Sequence, residues 1–283
     1  MNSQSSAGVP AGHPVRLIVT DLDGTFLGSD GMPSQANCDA VFEAASVGVP
    51  TIFATGRPAR WLQVLDRIQD AHPLVIASNG ALVVDLVQRT VIDTFPLDIP
   101  TTTDVITDVQ TALPGAAFAV EYVHGWGRDQ LFPIAPDKVE AEVIVHQPQD
   151  LLVRDEPIKL LIRSGMPTLD LMAQVAPIVE GRLNLTFSVV QSSGFVELSR
   201  PDVSKGTTLA ALLDQWAIPP QDVAAFGDMP NDLDMLDLVG HPFVMGNGHE
   251  VLKQRGFPVC GHHDESAFAT TVTELLGLET AFI

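Results

Sequence analysis

The sequence predicts a doubly wound α/β fold, in which a Rossmann-like parallel sheet carries an inserted α+β domain. Two observations predict it. Strand-like apolar runs alternate with amphipathic helical stretches at both ends of the chain, as expected of βαβ units. From about residue 81 to 198, mostly alternating strands and two helices follow instead. We therefore expect a core of residues 14–82 and 198–283, with residues 83–197 inserted into it.

The first half of the predicted core contains three buried strands joined by two helices. Each strand is a short β-branched and aliphatic run, which is typical of a central parallel strand. Apolar side chains at helical spacing mark the helices, and the first helix stops at Gly48. The predicted strands are 15–20, 50–54 and 74–77, and the helices are 34–47 and 58–71.

The inserted domain is predicted to contain an antiparallel sheet and two helices, because its strands alternate between apolar and polar residues. Its predicted strands are 81–84, 89–92, 117–122, 158–162, 183–190 and 195–198, and its helices are 102–113 and 168–179.

The α/β alternation returns after Lys205 and completes the core. Residues 1–13, by contrast, are rich in Ser, Gly, Ala and Pro with little periodicity, so we expect a flexible tail. The elements predicted after Lys205 are the helices 206–215, 231–238 and 266–276 and the strands 223–226 and 243–245.

Composition narrows the class of protein. A formal net charge of −20 disfavours nucleic acid and anionic membranes as partners, because binding either depends on basic side chains that neutralise phosphates. A signal peptide would begin with basic residues followed by an apolar stretch, and the sequence shows no such pattern. No apolar run approaches the roughly 20 residues of a membrane helix. Cys38 and Cys260 are expected to be free thiols. We expect a cytoplasmic protein and leave its oligomeric state open.

Polar motifs follow three of the predicted core strands. They are DLDGT at 21–25, TGR at 55–57 and GDMPND at 227–232. Ligands of open parallel sheets bind at the carboxyl ends of the strands, so these motifs are expected to converge on one site. The first motif alone would favour a plain turn after a strand, because Asp and Gly are turn formers, and only its combination with the other motifs makes a turn improbable. Likewise, Thr55 and Pro58 alone would fit the start of a helix.

Asp21 and Asp23 stand two positions apart, so both carboxylates can face the same crevice, and Gly24 lets backbone amides approach a phosphate. Paired carboxylates repel a phosphate dianion unless a hard cation lies between them, which makes Asp21 and Asp228 candidate ligands of Mg²⁺. One aspartate of the first motif can act as nucleophile and the other can transfer a proton. Spacing does not decide which.

Together with Lys205-Gly206, the three motifs resemble the four motifs of the haloacid dehalogenase (HAD) superfamily. Their order, and the large insert between the second and third, are similar to those of its Cof-type phosphatases, in which the insert is a C2-type cap domain. The segments SNGA at 78–81 and MGN at 245–247 stand where that subfamily has them. The resemblance covers nearly the whole chain after His13.

The resemblance implies a role for each motif residue. Asp21 would be the nucleophile, and Asp23 the general acid and then the general base. The Asp21 carboxylate, the Asp23 backbone carbonyl and Asp228 would hold Mg²⁺. The phosphoryl group would be bound by Thr55, Gly56, Lys205 and Asn231, with Asp232 and Arg57 as supporting residues.

The implied activity is Mg²⁺-dependent hydrolysis of a small phosphorylated metabolite, a sugar phosphate or a related phosphomonoester, through an aspartyl-phosphate intermediate. A phosphohexose mutase of the same superfamily would use the same aspartates. A phospho-accepting receiver domain also uses Asp, Thr and Lys, but the large insert and Asp23 argue against it, because a switch needs no acid for a leaving group.

Two further clusters require an interpretation. Core motifs contact only the phosphoryl group and metal, so specificity is expected to come from the insert, where Glu121 and Arg128 lie beside a Gly-containing turn. His124 and Trp126 lie in the same stretch. Their positions fit a contact with substrate and a plain surface loop equally well. Near the end of the chain, Cys260, His262, His263 and Asp264 suggest zinc, but no second Cys or His pair stands at ligand spacing, which favours a structural loop.

Overall fold

The computed structural model describes residues 14–133 and 143–278, so the predicted tail, residues 1–13, lies outside the described part. The N-terminal part forms the first half of a seven-stranded sheet. Its first helix begins where the Ser34 side chain accepts a hydrogen bond from the Asn37 amide. In chain order the elements are β1 (Leu17–Thr20), α1 (Gln35–Ser46), β2 (Thr51–Ala54), a 3-10 helix (Ala59–Ala71), β3 (Leu74–Ala77), β4 (Leu82–Asp85) and β5 (Thr90–Thr94).

The chain then enters a second, six-stranded sheet that carries two helices on one face. Its elements are α2 (Ile99–Ala112), β6 (Ala117–Tyr122), β7 (Trp126–Asp129), β8 (Val143–Val145), a 3-10 helix (Pro148–Val153), β9 (Pro157–Arg163), α3 (Thr168–Val179), β10 (Asn184–Thr186) and β11 (Phe195–Ser199).

The last part of the described chain returns to the first sheet. Its first helix is capped by Ser204, whose side chain accepts from the Thr207 amide while Thr207 reaches back to the Ser204 amide. The elements are α4 (Lys205–Trp216), β12 (Val223–Gly227), α5 (Leu233–Leu238), β13 (His241–Val244), α6 (Glu250–Lys253) and α7 (Ala267–Leu276).

The seven-stranded sheet has the order β13-β12-β1-β2-β3-β4-β5. Strands β13 to β3 run parallel, and β4 and β5 are antiparallel additions at one edge. Because β1 lies between β2 and β12, the carboxyl ends of all three strands meet at the same edge of the sheet. This confirms the predicted α/β fold and brings the motifs that follow these strands together.

The six-stranded sheet has the order β10-β11-β9-β6-β7-β8, antiparallel except for the parallel pair of β7 and β8. One face packs against α2 and α3 through residues such as Phe118, Leu160 and Ile162. Alternate residues of a strand point to opposite faces, so Lys159 and Leu161 lie on the other face, which is turned toward the core. We call this sheet with its helices the cap.

The predicted hairpin of strands 81–84 and 89–92 does not belong to the cap. It forms β4 and β5, which extend the core sheet, because the apolar face of β4 is buried beside β3. The predicted boundary at residue 82 therefore falls inside the core sheet. The Phe95 amide still donates to Ala81 in the core, whereas the Leu97 amide donates to Pro157 in the cap. We propose Pro96 as the first boundary and Ser199, the end of β11, as the second.

Two other predictions needed correction, and the strands β7 and β8 were missed. The helix expected at 58–71 is a 3-10 helix, with a non-helical residue at Trp61. Of the strand expected at 183–190, only Asn184–Thr186 pairs with β11, and the chain then turns toward the core. The sequence analysis missed β7, which pairs with β6 across a turn at Gly125.

Cys38 is buried and Cys260 half-buried, and both are free thiols. Within the two described ranges, no helix combines the length and the apolar character that crossing a bilayer requires.

Candidate active site

Asp21 follows the last residue of β1 and is almost completely buried. Its amide donates to the Phe226 carbonyl of β12, at 3.0 Å, which holds the backbone at the sheet edge. Lys205, the first residue of α4, donates from Nζ to Asp21 Oδ1 at 2.5 Å and to Asp232 Oδ1 at 2.7 Å. Residues from three distant segments therefore form one buried charged cluster.

Asp228 and Asp232 both come from the turn that follows β12. Asp232 Oδ2 accepts from the amides of Asp228 and Met229, each at 3.0 Å, so this carboxylate organises the turn as well as binding Lys205. Asp228 Oδ1 accepts from Thr25 Oγ1 at 3.0 Å. Gly24 is required here, because its φ is +79° and a Cβ at this position would lie 2.4 Å from Asp228 Oδ2.

The cluster contains three carboxylates and one ammonium group. Burial raises the pKa of the Asp21 carboxyl well above its usual value, although Lys205 acts in the opposite direction. Burial, with the neighbouring Asp232, raises the pKa of Asp228 to about 7. Burial alone would lower the pKa of Lys205, but the charges of Asp21 and Asp232 raise it above the usual value. Negative charge in the cluster is therefore incompletely neutralised.

This donor set fits a hard divalent cation. Carboxylate oxygens of Asp21, Asp228 and Asp232 lie within 4.8 Å of one another. All are oxygen donors, which suit Mg²⁺ rather than a soft metal. Because Asp232 already binds Lys205 and two amides, Asp21 and Asp228 are the better candidates for direct ligands.

Asp23 lies at the mouth of the site, and its side chain is 58% exposed. Arg57 binds it through two hydrogen bonds, from Nε to Oδ2 at 2.7 Å and from Nη2 to Oδ1 at 2.6 Å. The hydrogen bond to Asp23 raises the pKa of Arg57. Two motifs that are 34 positions apart are thus joined by a bidentate ion pair.

The other predicted phosphate-binding residues surround the same edge. Thr55 is buried, and its Oγ1 accepts from the Arg57 amide at 3.1 Å. Its carbonyl accepts from the amide of Asn79, a residue in the left-handed conformation with φ 58°. Asn79 Oδ1 in turn accepts from Asn231 Nδ2 at 3.0 Å. Asn231 Oδ1 is buried and has no hydrogen-bond partner within the described part of the chain.

These residues open into a cleft of about 940 Å³ between the core and the cap. The core supplies one wall, which includes Asp21, Asp23, Gly56, Arg57 and Asn231. The cap supplies the roof, formed by the open face of its sheet and the segment after β10. The cap residues in the lining are Glu121, Lys159, Leu161, Ser188, Val189, Phe195 and Glu197.

Comparison with known proteins identifies the family. The family model described as haloacid dehalogenase-like hydrolase matches residues 18–272, which include all four motifs. The chain belongs to this family. The resemblance drawn from the motifs is therefore confirmed, and the chain is an enzyme of the hydrolase class. The cluster around Asp21 lies at the position of the HAD motifs.

Individual relatives are similar over their full length. A 5-amino-6-(5-phospho-D-ribitylamino)uracil phosphatase of Bacillus subtilis, YwtE, is 27% identical over 93% of this chain and 98% of its own length. The structure of BT1666, a HAD phosphatase from Bacteroides thetaiotaomicron, has a TM-score of 0.79 and is 24% identical, covering 97% of this chain and 100% of its own. The subclass IIB sugar phosphatase BT4131 has a TM-score of 0.78, with 18% identity over 94% and 100% of the two chains.

The cap of this HAD enzyme is tied to the second motif by a buried lysine. Lys159 on β9 donates from Nζ to the Gly56 carbonyl at 2.9 Å and to Glu197 Oε1 at 2.6 Å. Glu197 Oε2 also accepts from Asn79 Nδ2, at 3.3 Å. The sequence analysis gave no role to Lys159 or Glu197. The signal was nevertheless present, because Lys159 and Glu197 each stand between apolar residues in a mostly buried cap strand.

The two predicted specificity residues occupy different environments. Glu121 lines the cleft and binds both terminal nitrogens of Arg60, from the core 3-10 helix, with Nη2 at 2.9 Å. The Arg60 guanidinium also lies over the Trp61 and Trp126 rings. Arg128 donates instead to the carbonyls of Asp129 and Phe132 and is absent from the described cleft lining. Trp126 thus helps to hold Arg60, and a role of Glu121 and Arg128 in specificity stays a prediction.

The segment with Cys260, His262, His263 and Asp264 serves as a loop anchor. Asp264 accepts hydrogen bonds from the amide and hydroxyl of Ser29, both at 2.7 Å. His263 Nδ1 lies 2.7 Å from the Leu27 carbonyl. The two His side chains and Asp264 come close together, but His263 and Asp264 are bound to the loop that follows the first motif. These contacts support the structural interpretation.

Proposed function

We propose that the protein is a Mg²⁺-dependent phosphatase that hydrolyses a small phosphorylated metabolite through an aspartyl-phosphate on Asp21. The observation that carries the proposal is the buried cluster at the end of β1, with three carboxylates and a single lysine, at the bottom of the cleft between core and cap. A phosphoryl group is the ligand that both the lysine and a divalent cation would bind there.

The first half of the reaction is transfer to the protein. A carboxylate oxygen of Asp21 attacks phosphorus while Lys205, bound to Oδ1, holds the carboxylate in place. The bond between phosphorus and the leaving oxygen breaks, and Asp23 donates a proton to that oxygen. In the structure Arg57 holds the Asp23 carboxylate at the mouth of the cleft through both oxygens, so Asp23 must take up a proton and release at least one of these hydrogen bonds before it acts as the acid.

The second half regenerates the enzyme. Asp23, now ionised, accepts a proton from a water molecule, whose oxygen attacks phosphorus and releases Asp21 and inorganic phosphate. Thr55, Lys205 and Asn231 are proposed to bind the phosphoryl oxygens throughout. Mg²⁺ would be held by Asp21 and Asp228 and would neutralise charge between the carboxylates and the phosphoryl oxygens.

The substrate is proposed to be a sugar phosphate or a related phosphomonoester. Both BT4131, described as a sugar phosphatase, and YwtE, described as acting on a phosphorylated ribityl compound, support this class. The cap roof supports it as well, since it encloses the space that a leaving group would occupy and would exclude bulk water.

The test is phosphate release from a panel of sugar phosphates and a chromogenic phosphate ester, with Mg²⁺ and with EDTA. We expect steady, Mg²⁺-dependent release of inorganic phosphate, which separates a phosphatase from a mutase, whose product is an isomer, and from a receiver domain, which takes up phosphate once. Asp21→Asn is expected to lower kcat by about 10⁴-fold or more, because the nucleophile is lost while the shape is retained.

Asp39→Asn, an exposed carboxylate on α1, is the matched control and should retain the wild-type rate. A folded Asp21→Asn protein with normal turnover would refute the assignment of the nucleophile. A wild-type rate that EDTA leaves unchanged would refute the role of the metal.

A further inference from the structure

The cap roof continues beyond the cleft lining along β9. Lys159 and Leu161 line the cleft, and Arg163 is the next residue on the same face of the strand. In the sheet register Arg163 lies beside Phe195 of β11, which also lines the cleft, and beside Ala117 of β6. Ala117 is buried in a small apolar cluster with Phe132 and Leu161 on this face of the sheet.

Two aromatic rings hold the Arg163 side chain. Its guanidinium carbon lies 4.9 Å from the centre of the Phe195 ring and 5.7 Å from that of Phe132. Its Nε is buried and has no hydrogen-bond partner among the described residues. Burial lowers the pKa of this guanidinium, and no neighbouring charged group opposes that effect.

Arg163 stands at the edge of the cleft, beside the lining residue Phe195, and differs in its partners from the four cations of the cleft and the buried cluster. Arg57 is paired with Asp23, Arg60 with Glu121, Lys159 with Glu197, and Lys205 with two aspartates. Within residues 14–133 and 143–278, no carboxylate lies at ion-pair distance from Arg163. In a chain with 35 acidic and 15 basic residues, a half-buried arginine that lacks a carboxylate is available for an external anion.

We propose that Arg163 binds a second anionic group of the substrate, a phosphate or carboxylate at the end opposite the transferred phosphoryl group. This inference rests on the proposed function and narrows its substrate class to metabolites with two anionic groups. Without such a cation, the acidic cleft would repel the second group. Arginine is suited to this task because its planar donors match both oxyanions.

The position of Arg163 sets the approximate length of that substrate. Lys159 contacts Gly56 in the second motif, and Arg163 stands four residues further along β9, which is about 13 Å along an extended strand. The long arginine side chain can shorten this span. A leaving group of about the size of a hexose would therefore bring its distal oxyanion within reach.

The experiment compares fructose 6-phosphate with fructose 1,6-bisphosphate. The quantity measured is the kcat/KM for the bisphosphate divided by the kcat/KM for the monophosphate. We expect Arg163→Met to lower this ratio by about 10- to 100-fold, which is the usual contribution of a charge-assisted hydrogen bond. Arg163→Lys should restore part of this ratio, because it keeps the charge. Arg200→Met is the matched control: Arg200 also lies over a phenylalanine ring, that of Phe95, but it is paired with Asp202.

A binding measurement keeps the inference independent of turnover. In the Asp21→Asn background, Kd values for the same two sugar phosphates can be measured by calorimetry. We expect Arg163→Met to change the ratio of the two Kd values by about 10- to 100-fold, because the same charge-assisted hydrogen bond is lost. If no ester is hydrolysed but this ratio changes, the proposed function fails and the anion site stands. If the ratios for Arg163→Met, measured on folded protein, equal those of the wild type, the anion site is refuted while the phosphatase activity stands.

Discussion

Two lysines of the described chain are almost completely buried, one in the core and one in the cap, and both donate to a carboxylate at less than 3 Å. In the cap, Lys159 is balanced by one carboxylate, Glu197. In the core, Lys205 is bound to two, Asp21 and Asp232, and a third, Asp228, stands beside them. The same residue type therefore serves a neutral pair in one place and a negatively charged cluster in the other.

The difference teaches how to separate a structural ion pair from a cation site. A balanced buried pair satisfies its own charges, and Lys159 and Glu197 use their remaining donor and acceptor atoms to join the cap to Gly56 and Asn79. An unbalanced cluster cannot be satisfied by the protein alone. Burial of an uncompensated charge is costly, so the core cluster is expected to depend on a ligand that the cap pair does not need.

The largest effects are expected from the lysines themselves. Replacing either by Met leaves buried carboxylates without their partner, which should lower the free energy of unfolding by about 3–5 kcal/mol in metal-free buffer. Millimolar Mg²⁺ should recover part of the loss for Lys205→Met, because a cation can replace the missing positive charge, but not for Lys159→Met. Urea unfolding with EDTA and with Mg²⁺ measures both.

Lys253→Met is the control for this experiment, since its partner is the exposed Glu250, and it should change stability by about 1 kcal/mol at most. Equal recovery of both buried-lysine variants by Mg²⁺ would remove the distinction between the two sites.

A smaller effect should appear in the pH dependence of Asp228. Its pKa in the folded protein, about 7, lies above the ordinary 3.8, so the folded state binds more protons than the unfolded state between these values. The carboxyl group therefore destabilises the metal-free protein increasingly as the pH rises from about 4 to about 7. Asp228→Asn should remove this cost. Above about pH 7 the variant should be more stable than the wild type by about 2–4 kcal/mol.

Denaturant unfolding in EDTA across this pH range gives the difference between variant and wild type. With Mg²⁺ the order should reverse, because only the wild type retains the ligand. The contrasting variant is Glu197→Gln, which breaks the balanced pair and should destabilise the protein in either buffer. A stability difference for Asp228→Asn that does not vary with pH would contradict the excess of charge in the core cluster.

The smallest effect is expected in substrate specificity. Glu121→Ala releases Arg60 in the cleft and should change the relative kcat/KM values of different sugar phosphates by about tenfold, the effect of one or two hydrogen bonds. Arg128→Ala should change them less, because Arg128 donates to backbone carbonyls near its own hairpin. Kinetics on the substrate panel measure both. A uniform loss over all substrates would place Glu121 in catalysis or folding instead.

The core site was largely predictable from the sequence, because its residues lie directly after buried strands. Asp21, Thr55 and Asp228 each follow an apolar run, and parallel strands bring their ends together. The family resemblance added the roles of Lys205 and Asp23, which spacing alone left open. Metal-binding and catalytic roles of these residues stay predictions until they are tested.

Most of the cap contribution to the site was not predictable, although Glu121 was singled out from the sequence and does line the cleft. Lys159, Glu197 and Arg60 meet their partners only through the register of the cap sheet and the way in which it docks on the core. Neither is encoded in local periodicity. The hairpin of β4 and β5 was misplaced for a related reason, since a hairpin signal shows which strands pair but not which sheet they join.

The central position of β1 also affects how the protein is made. One edge of β1 pairs with β2, which leaves the ribosome soon afterwards, but the other pairs with β12, which follows the entire cap. At ordinary elongation rates, that edge stays open on the nascent chain for on the order of ten seconds. The open edge of a strand that is apolar except for Thr20 is a site of aggregation, so chaperone occupancy should be greatest in this interval. Translation products that stop before β12 would also be inert, because the lysine and aspartates around Asp21 could not assemble.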